Sequence, residues 1–203
     1  MATLQSYALT NVADVKESLG IASSDHTYDN LIIRKINQAT AVIEAYCDRR
    51  FASTSYTEEY DASHIDALVL RQRPLISVTS FQVRDSGFND SDWNTIDSEL
   101  YFTDTAAGVL KLLFAARGYW NRYKVTYTAG YATIPDDLAE ACASLAGYYA
   151  NLSPADVNLK SKTEGSRKIE YAESATNTKQ LFALLGIDTT LDMYANNPLG
   201  MDK

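Results

Sequence analysis

Histidine, cysteine, proline and glycine are all scarce: the 203 residues hold 2 His, 2 Cys, 4 Pro and 9 Gly. With only His26 and His64, and no ligand-spaced His or Cys beside either, no metal centre assembles from neighbouring residues. The dispersed glycines form neither a dinucleotide fingerprint nor a Walker loop, so a phosphate cradle is absent too and no cofactor is implied. Cys47 and Cys142 lie far apart among small or apolar neighbours and read as buried thiols, so nothing calls for an oxidising compartment. Residues 1–20 include Asp14 and Glu17 and no unbroken apolar core, which reads as neither a signal peptide nor a lipidation motif. Long hydrophobic runs are missing as well, since the greasiest stretch, Val109 to Trp120, is broken by Lys111 and Arg117. These features point to a protein made and used in cytosol, with no membrane partner. Basic residues are outnumbered, 18 against 26 acidic ones, and the net charge of −8 argues against a protein that grips nucleic acid by neutralising phosphates.

What is present is ordinary globular material, 46% hydrophobic and 22% charged. A chain of this length buries about 70% of its unfolded surface and folds without staples. Asn11 can cap a short helix whose stripe is Val12, Val15 and Leu19, with Gly20 ending it. After Thr27, a plausible cap, Leu31, Ile32, Ile36, Ala39, Ile43 and Cys47 recur at helical spacing through about Arg49. From Phe51 the texture turns β-branched and aromatic, giving short strands at Thr54–Tyr60, Ala67–Leu70, Ile76–Val83, Leu100–Phe102, Val109–Leu113 and Arg122–Thr128. In the last of these Tyr123, Val125 and Tyr127 should face a core, and Lys124, Thr126 and Thr128 water. Pro135, Asp136 and Asp137 mark another helix start, followed by a face of Leu138, Ala141, Cys142, Leu145 and Tyr149 whose small residues permit close packing on the 28–49 helix. The polar run from Ser153 to Asn177 predicts a mobile loop or arm. Amphipathic character returns at Leu181, Phe182, Leu184, Leu185, Ile187 and Leu191, which predicts a terminal docking helix.

Clusters that suggest chemistry have simpler explanations. Ser63, His64 and Asp66 crowd one polar loop, but a triad needs convergent geometry that sequence adjacency rarely supplies. Asp136, Asp137 and Glu140 are where helix-start electrostatics favours acids. The loop from Asp85 to Asp92 lacks the ligand pattern and closing Glu of an EF-hand. The 14 tyrosines, without a basic groove, read as packing or interface residues.

The segment order carries more. Val15-Lys16-Glu17-Ser18-Leu19-Gly20-Ile21, Asp29-Asn30-Leu31-Ile32 and Tyr46-Cys47-Asp48-Arg49-Arg50-Phe51 open it. Leu68-Val69-Leu70, Arg73-Pro74-Leu75-Ile76-Ser77-Val78, Val125 through Tyr131 and Ile134-Pro135-Asp136-Asp137-Leu138 continue it. In this order and spacing, over about residues 12–150, the chain resembles the head-tail connector (neck adaptor) family of tailed bacteriophages; Lys160-Ser161-Lys162 through Tyr171 resembles that family's polar segment before its last helix. The departure is the β-rich middle from Tyr56 to Thr128, longer than in compact members. The resemblance implies a structural virion protein without catalysis, located at the neck after assembly in the host cytoplasm. Its subunits would form a homo-oligomeric ring, commonly of twelve, between the portal protein and a tail-side stopper, through which DNA passes without specific binding. An acidic wall suits that passage, because it repels phosphates.

Together these readings predict an α+β fold: a small helical bundle with an inserted antiparallel β section at 54–128 inside a 1–152 core, then a flexible arm at 153–203 ending in a helix. Leu181, Phe182, Leu184, Leu185 and Leu191 are the expected portal or neighbour contacts, with folding back onto the chain's own bundle as the competing reading. Asp85, Asn89, Asp90 and Asp92 are the expected projecting tip or channel loop. The rivals are another phage neck or tail-completion protein, a host interaction module, and a small hydrolase whose turnover a His64→Ala change would abolish.

Overall fold

The computed structural model describes residues 2–62, 66–84, 93–113, 121–151, 161–164, 167–170 and 178–195. The chain divides into two compact units, one built from Met1–Arg49 with Ile134–Lys203 and the other from Arg50–Thr133. The β section is thus an insertion between the second and third helices, as the pattern of periodicities predicts.

In the first unit, helix α1 (Val12–Ser18) starts where Asn11 Oδ1 accepts from the Asp14 amide at 3.0 Å, satisfying one orphan donor of the first turn. Helix α2 (Asp29–Cys47) buries Ile32, Ile36, Ala39, Thr40, Ile43 and Cys47, a stripe at helical spacing. Its cap differs from expectation: Tyr28, not Thr27, stands at the N-cap and makes no side-chain bond there, while Asp29 supplies the negative charge of the first turn. Helix α3 (Asp136–Asn151) packs on α1 and α2 through Leu138, Ala141, Cys142, Ala143, Leu145, Ala146 and Gly147. Small residues let the axes approach, and Cys142 Sγ comes to 3.6 Å from Thr40 Oγ1 in the interior.

The segment before α1 is held along α2. The amides of Ala2, Gln5 and Leu9 donate to Asn30 Oδ1, Asn37 Oδ1 and Thr40 Oγ1 at 3.0, 3.2 and 3.3 Å. Lys16, only 4% exposed, reaches Asp29 at 2.5 Å and so ties α1 to the start of α2. Asp29 also meets His26 Nδ1 at 2.8 Å, and the hydrogen bonds from Lys16 and then His26 hold its carboxyl below the ordinary 3.8. A depressed folded-state pKa contributes stability that is fully present above the unfolded value of 3.8 and is lost as pH falls from there through the folded one. Replacing Asp29 by Asn is therefore expected to flatten the acid limb of stability against pH, measured by urea unfolding at a series of pH values; an unchanged acid limb would refute the role given to this pair.

The second unit contains strands β1 (Thr54–Ala62), β2 (Ala67–Val69), β3 (Leu75–Arg84), β4 (Asn94–Thr95), β5 (Tyr101–Asp104), β6 (Val109–Leu112) and β7 (Asn121–Ala129). One antiparallel sheet has the order β1-β7-β3-β4 and a second the order β2-β6-β5. Tyr123, Val125, Tyr127 and Ala129 of central β7 are buried, in the predicted phase, and pack with Leu75 and Phe81 of β3 and with Leu68, Leu110 and Leu112 of the smaller sheet. Phe81 contacts the Tyr101 ring edge-on at 5.3 Å between centroids. The Gln72 amide donates to the Tyr127 hydroxyl at 3.2 Å, giving this core phenol a partner.

Two features of the last fifty residues go beyond the expectations. The polar run contains a β-hairpin, β8 (Ser161–Glu164) paired with β9 (Arg167–Glu170), because cross-strand backbone pairing needs no continuous apolar face. The single terminal helix is two, α4 (Thr178–Leu185) and α5 (Asp188–Tyr194), parted by Gly186 at φ +70°. The Ile187 amide donates to Phe182 O at 3.0 Å and the Gly186 amide to Ala183 O at 3.1 Å, the glycine-dependent turn that closes a helix.

Candidate interaction surfaces

Among the described residues no group of three or more His, Cys, Asp or Glu is placed to hold a metal ion, and no helix is long and apolar enough to cross a membrane. Burial pushes the Cys47 thiol up to about 12 and the Cys142 thiol up to about 11, so both are protonated and poor nucleophiles at neutral pH. Asp137 accepts from the Leu138 amide at 2.8 Å and from the Tyr194 hydroxyl at 2.8 and 3.0 Å, a helix-start and tethering role. His64 and the loop residues Asp85, Asn89, Asp90 and Asp92 lie outside the described residues.

The terminal helices can be placed side chain by side chain. Phe182 and Leu191 are fully buried and Leu181 nearly so, all within the first unit, where α5 packs against α2 and α3. Phe182 meets the Tyr46 ring edge-on at 4.9 Å, and Leu191 O lies 3.6 Å from Cys47 Sγ. Polar contacts surround this apolar anchor. Arg49 donates to Tyr194 O at 3.2 Å, and the Tyr46 hydroxyl donates to Asp192, which with burial pushes that phenol up to about 12. Leu184 faces the other way, 54% exposed, with Met193 at 81% and Leu185 intermediate between them and the core. Of the five leucine and phenylalanine positions singled out by sequence, three serve the chain's own bundle, and Leu184 with Leu185 stays available, joined by Met193. The fold-back uses both short helices: Phe182 of α4 reaches Tyr46, and Leu191 of α5 lies in the face that packs on α2 and α3.

A second apolar surface went unnoticed in the sequence. The smaller sheet of the β unit exposes Val69, Phe102 and Leu113 on the side opposite its core residues. Its signal was the run Val109-Leu110-Lys111-Leu112-Leu113, which is apolar at both phases of the strand period.

A family model described as head completion protein matches residues 8–191. Solved structures with the same fold include a chain in the neck of an empty GTA particle computed with C6 symmetry, at 18% identity and TM-score 0.59, covering 100% of this chain and 97% of that one. Another is in the neck of a native GTA particle computed with C12 symmetry, at 20% identity and TM-score 0.57, covering 100% and 97%. A third is in the virion of a native gene transfer agent (GTA) particle, at 19% identity and TM-score 0.57, covering 98% and 96%. No curated protein matches the sequence.

Proposed function

Since this chain belongs to the head completion protein family, we propose that it is a non-enzymatic neck subunit of a phage-like particle, joining capsid to tail as part of a ring beneath the portal. The observation that carries this reading is the extent of the family match, which takes in the helical bundle, the inserted β unit and the terminal helices. The structural relatives found in particle necks agree with it, and the C6 and C12 symmetries of those necks support a ring, with twelve copies as our expectation.

In this role the net charge of −8 has a use, because a channel wall that repels phosphates lets DNA slide, whereas a basic wall would hold it with salt-sensitive affinity. The loop at Asp85, Asn89, Asp90 and Asp92 is our candidate for the segment projecting toward the channel or the tail-side protein. Leu184, Leu185 and Met193 are our candidates for contact with the portal, since they are the apolar side chains of the terminal helices that the bundle does not fully consume.

The test is attachment to isolated portal rings, read as co-sedimentation. A Leu184→Glu/Met193→Glu double variant is expected to melt at the parent temperature and to bind portal rings at least about tenfold more weakly, as for central apolar contacts of an interface. Parent protein that never binds portal rings would remove the neck reading. Unchanged binding by the double variant would remove the terminal helices from it.

A further inference from the structure

The smaller sheet of the β unit has two apolar faces. Cross-strand partners share a side, so the register places Val69, Val109 and Asp104 in one row and Ala67, Lys111 and Phe102 in the next. Leu113, whose amide donates to Leu100 O at 3.0 Å, extends the same face with Leu100. The reverse side, with Leu68, Leu110 and Leu112, is core. On the outward side Phe102 is 63% exposed, Val69 61%, Leu113 54% and Leu100 44%. An antiparallel sheet with one solvated face usually turns polar residues to water, so large apolar side chains clustered on the exposed face mark a surface for contact.

Resting on the ring reading above, we propose that this outward face of β2-β6-β5 is one half of the lateral contact between neighbouring copies of this chain in the ring. Charge favours a second copy as the occupant. Two chains of net charge −8 repel over most of their surface, but within the strands the described residues of this face pair one cation with one anion, Lys111 and Asp104, among its apolar residues. Area favours it too. The four exposed side chains present on the order of 400 Å² of apolar surface, against roughly 800 Å² per partner in a stable interface. That suits the apolar centre of a contact with a polar rim, too weak to hold two free subunits together and sufficient when ring closure engages two faces of every copy. A cyclic ring of more than two subunits uses heterologous contacts, so this face meets a different surface of its neighbour and not itself.

The test places a photo-crosslinking amino acid at Phe102 in the full chain, bound to portal rings or in purified particles. The expected product is a ladder at multiples of this chain's own mass. A Phe102→Cys variant is expected to give no disulfide dimer, because the two-fold pairing it needs does not occur, and the native thiols are buried. A Val69→Lys/Phe102→Glu variant is expected to melt like the parent as a monomer and to lose the ladder produced by a crosslinker at another ring contact. Crosslinks from Phe102 to a chain of different mass would overturn the proposal in favour of a portal or tail-side partner. A Phe102→Cys disulfide dimer would overturn it in favour of a two-fold contact. If probes at other exposed positions give a ladder and Phe102 does not, only this face is wrong; if no position does, the ring reading fails with it.

Discussion

Replacing Gly130 by Ala is expected to destabilise the β unit by about 3 kcal/mol or more, among the largest effects of any single substitution in the chain. Gly130 follows β7 at φ +112°, a region that side chains rarely tolerate. A Cβ there would stand 2.7 Å from the carbonyl oxygens of both Phe51 and Ala52, and neither is a flexible side chain that could swing away. The close approach is built by hydrogen bonds on every side. The Tyr131 amide donates to Phe51 O at 2.7 Å, the Ser53 amide to Tyr131 O at 3.2 Å, and the Gly130 amide to Pro74 O at 2.9 Å. Opening enough room for a methyl group would break the bonds that bring the strand entering the unit beside the strand leaving it. Urea unfolding followed by tyrosine and tryptophan fluorescence measures the loss, and a Gly130→Ala variant within about 1 kcal/mol of the parent would refute this account of the position.

Phe182→Ala is expected to release the terminal helices without unfolding the bundle. The ring is fully buried, and phenylalanine truncations at such sites cost about 3–5 kcal/mol. Among the described residues of the terminal helices, the other buried apolar chains are Leu181, Ile187 and Leu191, so the cost falls on a small element. A loss of about 3 kcal/mol raises the open fraction of residues 178–195 by more than about a hundredfold. Amide hydrogen exchange across α4 and α5 should accelerate by that factor, while α2 retains its protection. Exchange in α4 and α5 unchanged from the parent would show that the aromatic contact with Tyr46 does not hold them.

These two sites differ in how far sequence exposes them. Phe182 announces itself as part of the amphipathic run with Leu181, Leu185 and Leu191, although apolar patterning alone does not say whether that run meets its own bundle or a partner. Gly130 looks like one glycine among nine, because its importance lies in carbonyls 78 and 79 positions earlier in the chain, and long-range approach leaves no local signature. The same contrast runs through the fold. The periods of α2, α3 and β7 place the buried faces of those three elements correctly, since burial alone selects those residues. The polar ties of Asn30, Asn37 and Thr40 to the first residues look like solvated helix positions until the segment they bind is in view. The outward face of the smaller sheet was missed for a related reason. Strand alternation marks which side of β6 is core, but it does not show that Phe102 and Val69 on the neighbouring strands join Val109 on the other side.

The central proposal is a neck subunit whose ring would encircle DNA and link two assemblies. Its most direct measurement is cryo-electron microscopy of particles carrying a density label fused to this chain. The account predicts a closed ring of label at the junction of head and tail, between the portal and the first tail-side protein. Label found on the capsid faces, along the tail or absent from finished particles would contradict it.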